Sequence, residues 1–188
     1  MWIHNNEKEE WINEIKYMSP RPRYNHTVIA GEVYFQFKNY FNKNCTVAIE
    51  GALFLTKLNI DDIKSDINKL NTLIKSKKAE LAPDIAVYCD KNQRFYRGFL
   101  GVPQLIVEVL SPSNSDDDTI TKKDLYEEYG VPEYWIISPM NKKIRVFSLI
   151  NEKYELTSEC SISDNVFSTR FNDLSVNLSE VELIEDDF

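Results

Sequence analysis

The sequence predicts an α/β fold with a central mixed sheet flanked by helices, and three observations predict it. Three short, almost wholly apolar segments at 84–88, 104–110 and 134–137 read as strands covered on both faces. Between the last two run an acidic loop, a helical stretch and Gly130-Val131-Pro132, the order of a crossover unit joining parallel neighbours. The chain has 188 residues, 43% of them hydrophobic and 12% aromatic, with only 5 Gly and 7 Pro, the composition of a packed protein sized for a single domain over 1–188.

Each further element follows from local pattern. In 7–17, EKEEWINEIKY, the residues Trp11, Ile12 and Ile15 stand at helical spacing and predict a short surface helix, ended by the breakers of 19–23. Val28, Ile29, Val33, Phe37, Tyr40 and Phe41 recur at three and four positions and predict a longer amphipathic helix over 24–41. Residues 46–55 are rich in strand formers and predict a strand bulged at Gly51. Ile60, Ile63, Ile67, Leu70 and Ile74 mark one face of a polar helical insertion over 57–80. The helix over 119–129 ends at Gly130, a left-handed stop. A terminal hairpin is expected from 143–147 and 154–156, turning at 151–153, and an acidic tail over 178–188 is expected to fray.

Charge sets a condition on function. Lys and Arg total 22 against 30 Asp and Glu, a net charge of -8, whereas proteins that coat duplexes are usually basic. Action on nucleic acid would have to rest on a local site. The start MWIHNNEKEEW lacks the basic head and apolar core of a signal peptide, and no run nears the roughly 18 apolar residues of a membrane span, so a cytoplasmic protein is expected. Cys45, Cys89 and Cys160 are odd in number and far apart, and are expected to be reduced thiols.

The chemistry concentrates in carboxylates set against the hydrophobic pattern. Asp84 opens an apolar strand after Pro83, and Glu108 interrupts the strand Leu105-Ile106-Val107-Glu108-Val109, where an ionised group needs a partner or a cation. With the Val109 carbonyl beside them they offer the hard oxygen donors that Mg²⁺ or Mn²⁺ takes. Four residues apart at the start of the next helix, Asp118 and Lys122 place an ammonium that can point back toward the strand end. Taken singly, strand-end carboxylates paired to Lys or Arg, and a surface ion pair on the helix, account for the same residues.

Pro83-Asp84, the run GVPQLIVEVLSPS over 101–113, Asp118, Lys122, Tyr126 and GVPEYW over 130–135 together resemble the Uma-two family of restriction endonucleases, within the PD-(D/E)xK nuclease superfamily. The resemblance implies a restriction-endonuclease-like core, Asp84 and Glu108 as metal carboxylates, and Lys122 as the catalytic lysine displaced onto a helix. The superfamily lysine two residues after the glutamate is absent, since Leu110 stands there. His26 matches a histidine of the family and would support the site; Glu32 and Glu50 are candidates for a further acidic ligand.

Lys64, Lys69, Lys75, Lys77 and Lys78 of the insertion, with Arg94 and Arg97, are the candidates for phosphate contact, against the plain reading of a solvated helix face. The expectation is an endonuclease using Mg²⁺ or Mn²⁺ on DNA, with homodimerisation as the means of cutting both strands. The rival is a non-catalytic interaction module or partner-dependent subunit that keeps the fold. Tyr134 and Trp135 are expected in the core.

Overall fold

The computed structural model of the chain describes residues 8–19, 22–111 and 116–185. The first described segment is a hairpin, β1 (Lys8–Ile12) and β2 (Ile15–Ser19), where the spacing had suggested a helix. Asn13 and Glu14 both take positive φ, 49° and 66°, the geometry of a tight two-residue turn that suits strand twist. Alternation wins over helical spacing because β1 has a sheet to join: Glu10 and Ile12 point inward and are buried.

Helix α1 (Tyr24–Phe41) has the predicted bounds. The predicted strand over 46–55 is two strands, β3 (Thr46–Ile49) and β4 (Leu53–Phe54), which belong to different sheets. Between them Glu50 takes φ 46°, so the chain turns out of one sheet and into the next instead of bulging within it. The insertion is split at Asp66 into α2 (Ile60–Ser65) and α3 (Ile67–Ser76), since the Asp66 side chain caps the second helix at the Asn68 amide. Then follow β5 (Ala79–Leu81), β6 (Ile85–Tyr88), a single 3₁₀ turn (Lys91–Gln93), β7 (Arg94–Phe95), β8 (Gly98–Leu100), β9 (Leu105–Val109), α4 (Asp116–Tyr129) and β10 (Glu133–Ser138). β11 (Lys143–Ile150) and β12 (Lys153–Ser161) make the predicted hairpin, turning at Asn151 and Glu152, and a short pair, β13 (Asn165–Phe167) with β14 (Ser175–Asn177), closes the described chain.

The central sheet has the order β12-β11-β10-β9-β6-β3, with the predicted parallel pair at β9–β10. A second sheet, β2-β1-β5-β4-β8-β7, lies outside it. One face of the central sheet, Val47, Ile85, Val87, Leu105, Val107, Val109, Trp135 and Ile137, packs against Ile29, Val33, Phe37 and Phe41 of α1. The alternate residues Ala86, Tyr88, Ile106, Tyr134 and Ile136 face Leu125 and Tyr126 of α4 and Ile12, Leu53, Leu55 and Leu81 of the outer sheet. Glu108 shares that second face with Ile106 by strand alternation. The mixed α/β architecture and the core placement of Tyr134 and Trp135 agree with the expectation.

Two further expectations are corrected. Cys45 and Cys89 are joined in a disulfide. The register of β3 on β6, Thr46 opposite Tyr88, sets the two cysteines opposite one another, with Cα atoms 4.1 Å apart, although 44 positions separate them in sequence. Cys160 is a free thiol, its pKa raised chiefly by burial. The described part of the tail is docked and does not fray: the Asn25 amide donates to the Ile184 carbonyl at 2.8 Å, and Ile184 N–H donates back to Asn25 Oδ1 at 2.9 Å. Among the described residues no helix is long and apolar enough to cross a membrane.

Candidate active site

Asp84 precedes β6 and Glu108 lies near the end of β9. The antiparallel register pairs Ile85 with Val107, so one residue further on Asp84 and Glu108 stand opposite each other. Directly opposite residues have Cβ atoms about 4.5–5.5 Å apart, close enough for two carboxylates to share an ion. Both are buried, Asp84 at 5% and Glu108 at 6% exposure.

Each carboxylate is held from several sides. Asp84 Oδ2 accepts the Val109 N–H at 2.8 Å and lies 2.9 Å from His26 Nε2 in the first turn of α1. The Asp84 N–H lies 3.5 Å from Glu108 Oε2, and Glu108 Oε1 accepts the Tyr126 hydroxyl at 2.9 Å. Tyr126 is fully buried, and desolvation, followed by the charges of Glu108 and Glu10, holds its phenol well above the ordinary tyrosine range, so it stays a donor.

Lys122 reaches the same cluster from α4. Its Nζ lies 2.7 Å from Glu10 Oε2 and 3.7 Å from Glu108 Oε1, and the residue is 5% exposed. Lys122 and Tyr126 are four apart on one helix face, which is why both meet Glu108. Glu10 also accepts the Ala82 N–H at 2.9 Å, which fixes β1 to the connection leading into Asp84.

Of the residues predicted from sequence, Asp84, Glu108, Val109, His26 and Lys122 are brought together. The exposed Glu50 lies beside them through its backbone, its N–H donating to the Asp84 carbonyl at 3.2 Å. Glu32 is elsewhere, six residues past His26 and turned off its face, where its Oε1 accepts from the Gln36 side chain at 2.8 Å. The Asp118 side chain lies outside the described residues. The basic candidates divide: β5 runs toward the site, so Lys75, Lys77 and Lys78, before it, lie at the far end of the outer sheet. Lys77 is there paired with Glu80 and set over the Trp11 ring. Arg94 and Arg97 are exposed on the β7–β8 hairpin.

Glu10 was not singled out from sequence, because a helix reading gave it no inward direction; only alternation along β1 would have shown it. Glu133, within the quoted GVPEYW run, is a second such residue. Fully buried, it accepts from the Trp135 ring N–H, the Ser168 and Thr169 hydroxyls and the Thr169 and Arg170 amides, at 2.6–3.1 Å, tying 168–170 onto β10.

Among the described residues no group of three or more His, Cys, Asp or Glu side chains is arranged as a metal cage. The donor set nevertheless fits Mg²⁺, which takes one or two carboxylates and completes its shell with water and substrate oxygens. Glu10 and Glu108 share the Lys122 ammonium and Asp84 meets the His26 ring, so a cation bound between Asp84 and Glu108 would add to the charge compensation of this buried cluster.

The central mixed sheet thus carries Asp84 and Glu108 opposite one another, with the buried Lys122 over them. The chain belongs to the Uma2 family, described as "Putative restriction endonuclease", whose family model matches residues 3–178. It is 27% identical over 128 residues, 68% of this chain and 67% of the relative, to the uncharacterized protein slr1290 of Synechocystis sp.. Its fold is similar to the crystal structure of "a putative nuclease belonging to DUF820" from Anabaena variabilis, with a TM-score of 0.62 at 17% identity over 85% of this chain and 80% of that one.

Proposed function

We propose that the protein is a divalent-metal-dependent endonuclease that hydrolyses DNA phosphodiester bonds. The observation that carries this reading is the convergence of Asp84, Glu108 and Lys122 from three separate elements onto one buried cluster. Asp84 and Glu108, with the Val109 carbonyl, would hold Mg²⁺ or Mn²⁺; when bound, such an ion supplies charge neutralisation at a phosphodiester and a more acidic water. His26 and the Val109 amide orient Asp84, and the Tyr126 hydroxyl orients Glu108. Lys122 offers N–H donors to a water or a phosphate oxygen at the Glu108 side, and Glu10 sets where its ammonium sits. Arg94 and Arg97 contact phosphates. Cutting both strands of a duplex takes two such sites, which a homodimer supplies.

The test is incubation of the purified protein with supercoiled plasmid and short oligonucleotides in Mg²⁺ or Mn²⁺. Cleavage that disappears in Asp84→Ala and Glu108→Gln supports the reading; no cleavage of any DNA form sinks it. One observation favours the non-catalytic alternative: Lys122 sits closer to Glu10 than to Glu108, as in a purely structural ion pair. Calorimetric titration with Mn²⁺ separates the two, since absence of Asp84-dependent binding selects the alternative.

A further inference from the structure

We propose that the β7–β8 hairpin is a base-stacking element, in which Tyr96 receives an unpaired DNA base while Arg94 and Arg97 contact the adjoining phosphates. This rests on the nuclease reading above and names the form of substrate its site takes.

Tyr96 is 83% exposed, more than any other large apolar or aromatic side chain among the described residues. It occupies the hairpin turn with Arg97, and Arg94 stands at the start of β7. An aromatic face flanked by guanidinium groups is the chemistry that binds single-stranded nucleic acid, because every base has a π-face and every linkage a charge.

The hairpin is tied down by several contacts. The Phe95 ring packs edge-on to both Tyr96 and Phe54, at 5.6 and 5.5 Å, and the Arg97 guanidinium lies 5.6 Å from the Phe54 ring centre. Lys64 Nζ binds the Asn92 and Arg94 carbonyls, and the Gln93 side chain donates to the Val102 carbonyl at 2.8 Å. Gly98, at φ 139°, lets the strand close onto β4, since a Cβ there would lie 2.1 Å from the Ala52 carbonyl oxygen. The backbone that carries Tyr96 is thus tied to its neighbours, which limits the loop ordering that binding would cost.

The register places the tip at the end of the outer sheet from which the chain enters Asp84. Leu81, Leu53 and Phe99 form one row across β5, β4 and β8. One to three residues beyond that row, on the same end of the outer sheet, come Ala82, Pro83 and Asp84 on one side and Gly98, Arg97 and Tyr96 on the other. Where the strands are still paired, two strand spacings separate β5 from β8, about 10 Å. A strand with a phosphate at Asp84 and Glu108 that runs along this end of the outer sheet meets the β7–β8 turn within a few nucleotides. Such a small footprint also suits a chain of net charge -8, which disfavours a long duplex contact.

The experiment measures fluorescence anisotropy of a fluorescein-labelled single-stranded deoxyoligonucleotide, and of the same sequence as a blunt duplex, in an Asp84→Asn background that prevents turnover. Tyr96→Ala should weaken single-strand binding about tenfold or more, and Tyr96→Phe by no more than about twofold. The loss on the duplex should be smaller. Arg94→Ala and Arg97→Ala should each lower the slope of log affinity against log salt by about 0.7. Single-strand binding by Tyr96→Ala within about twofold of its parent overturns the proposal, and an equal or larger loss on the duplex overturns the assignment to an unpaired base. If wild type cleaves DNA while Tyr96→Ala binds unchanged, this inference alone falls. If wild type neither cleaves nor binds any DNA form, the nuclease reading falls first.

Discussion

Replacing Lys122 by methionine keeps most of the side-chain length and removes only the ammonium from a cluster that is almost dry. The Lys122 side chain is 6% exposed, that of Glu10 1% and that of Glu108 7%. At an effective dielectric of about 20, the separations of 2.7 and 3.7 Å correspond to gross attractions of about 6 and about 4.5 kcal/mol, largely offset by the desolvation of all three groups. Removing the ammonium leaves Glu10 and Glu108 buried without it, which costs about 3–5 kcal/mol. For a chain of this length that is a fall in Tm of roughly 6–20 °C. Urea denaturation followed by far-ultraviolet circular dichroism reads the loss directly. Glu10→Gln keeps an acceptor for the Ala82 N–H while removing one of the two stranded charges, so the Glu10→Gln, Lys122→Met double variant should be more stable than the sum of the single effects implies. A Lys122→Met protein within about 1 kcal/mol of wild type, or strict additivity in the cycle, refutes the coupled buried network.

Further outcomes follow from other parts of the molecule. Replacing Cys45 and Cys89 by alanine opens a loop of 44 positions and should lower stability by about 2–4 kcal/mol, read by urea denaturation. Gly98→Ala should lower Tm sharply and reduce soluble yield, since its Cβ would overlap the Ala52 carbonyl and its φ of 139° suits only glycine. Burial raises the pKa of Tyr88, Tyr126 and Tyr154, so each binds its proton more tightly folded than unfolded. Their contribution is intact below the ordinary tyrosine pKa near 10 and is lost as pH rises beyond it, so the phenolate absorbance of these three tyrosines should appear together with unfolding.

Much of this was legible in the sequence where one local rule acted alone. The helix over Tyr24–Phe41 was readable because its apolar stripe has only one period, and β6, β9 and β10 because strands covered on both faces are apolar throughout. Asp84 and Glu108 were visible as charges inside such runs. The outer sheet was not legible, because its strands are two to five residues long and several draw their stability from partners distant in sequence. The disulfide was hidden for the same reason: nothing local relates Cys45 to Cys89 until β3 lies on β6. Glu10 needed both the hairpin and the crossover helix in place before its charge had a partner.

The lysine missing after Glu108 has a geometric explanation. The Leu110 N–H donates to the Ile137 carbonyl at 2.8 Å, so the β9 ladder continues through residue 110, and alternation turns Leu110 to the side of Glu108. There it packs with the cluster that holds Leu125 and Tyr126 of α4. A lysine at 110 would rise from the strand into that space, and Lys122 descends into it from the helix; the two routes deliver an ammonium to one carboxylate from opposite walls of the same layer. Leu110→Lys placed in the Lys122→Met background should therefore recover part of the lost stability by pairing Glu108, and part of any metal-dependent cleavage. Glu10 would remain uncompensated, so recovery of stability should be incomplete, and it should grow when Glu10→Gln is added. Urea denaturation of the three variants, with plasmid cleavage in parallel, reads both effects. A Leu110→Lys, Lys122→Met protein no more stable than Lys122→Met alone would show that the two positions do not serve the same carboxylate.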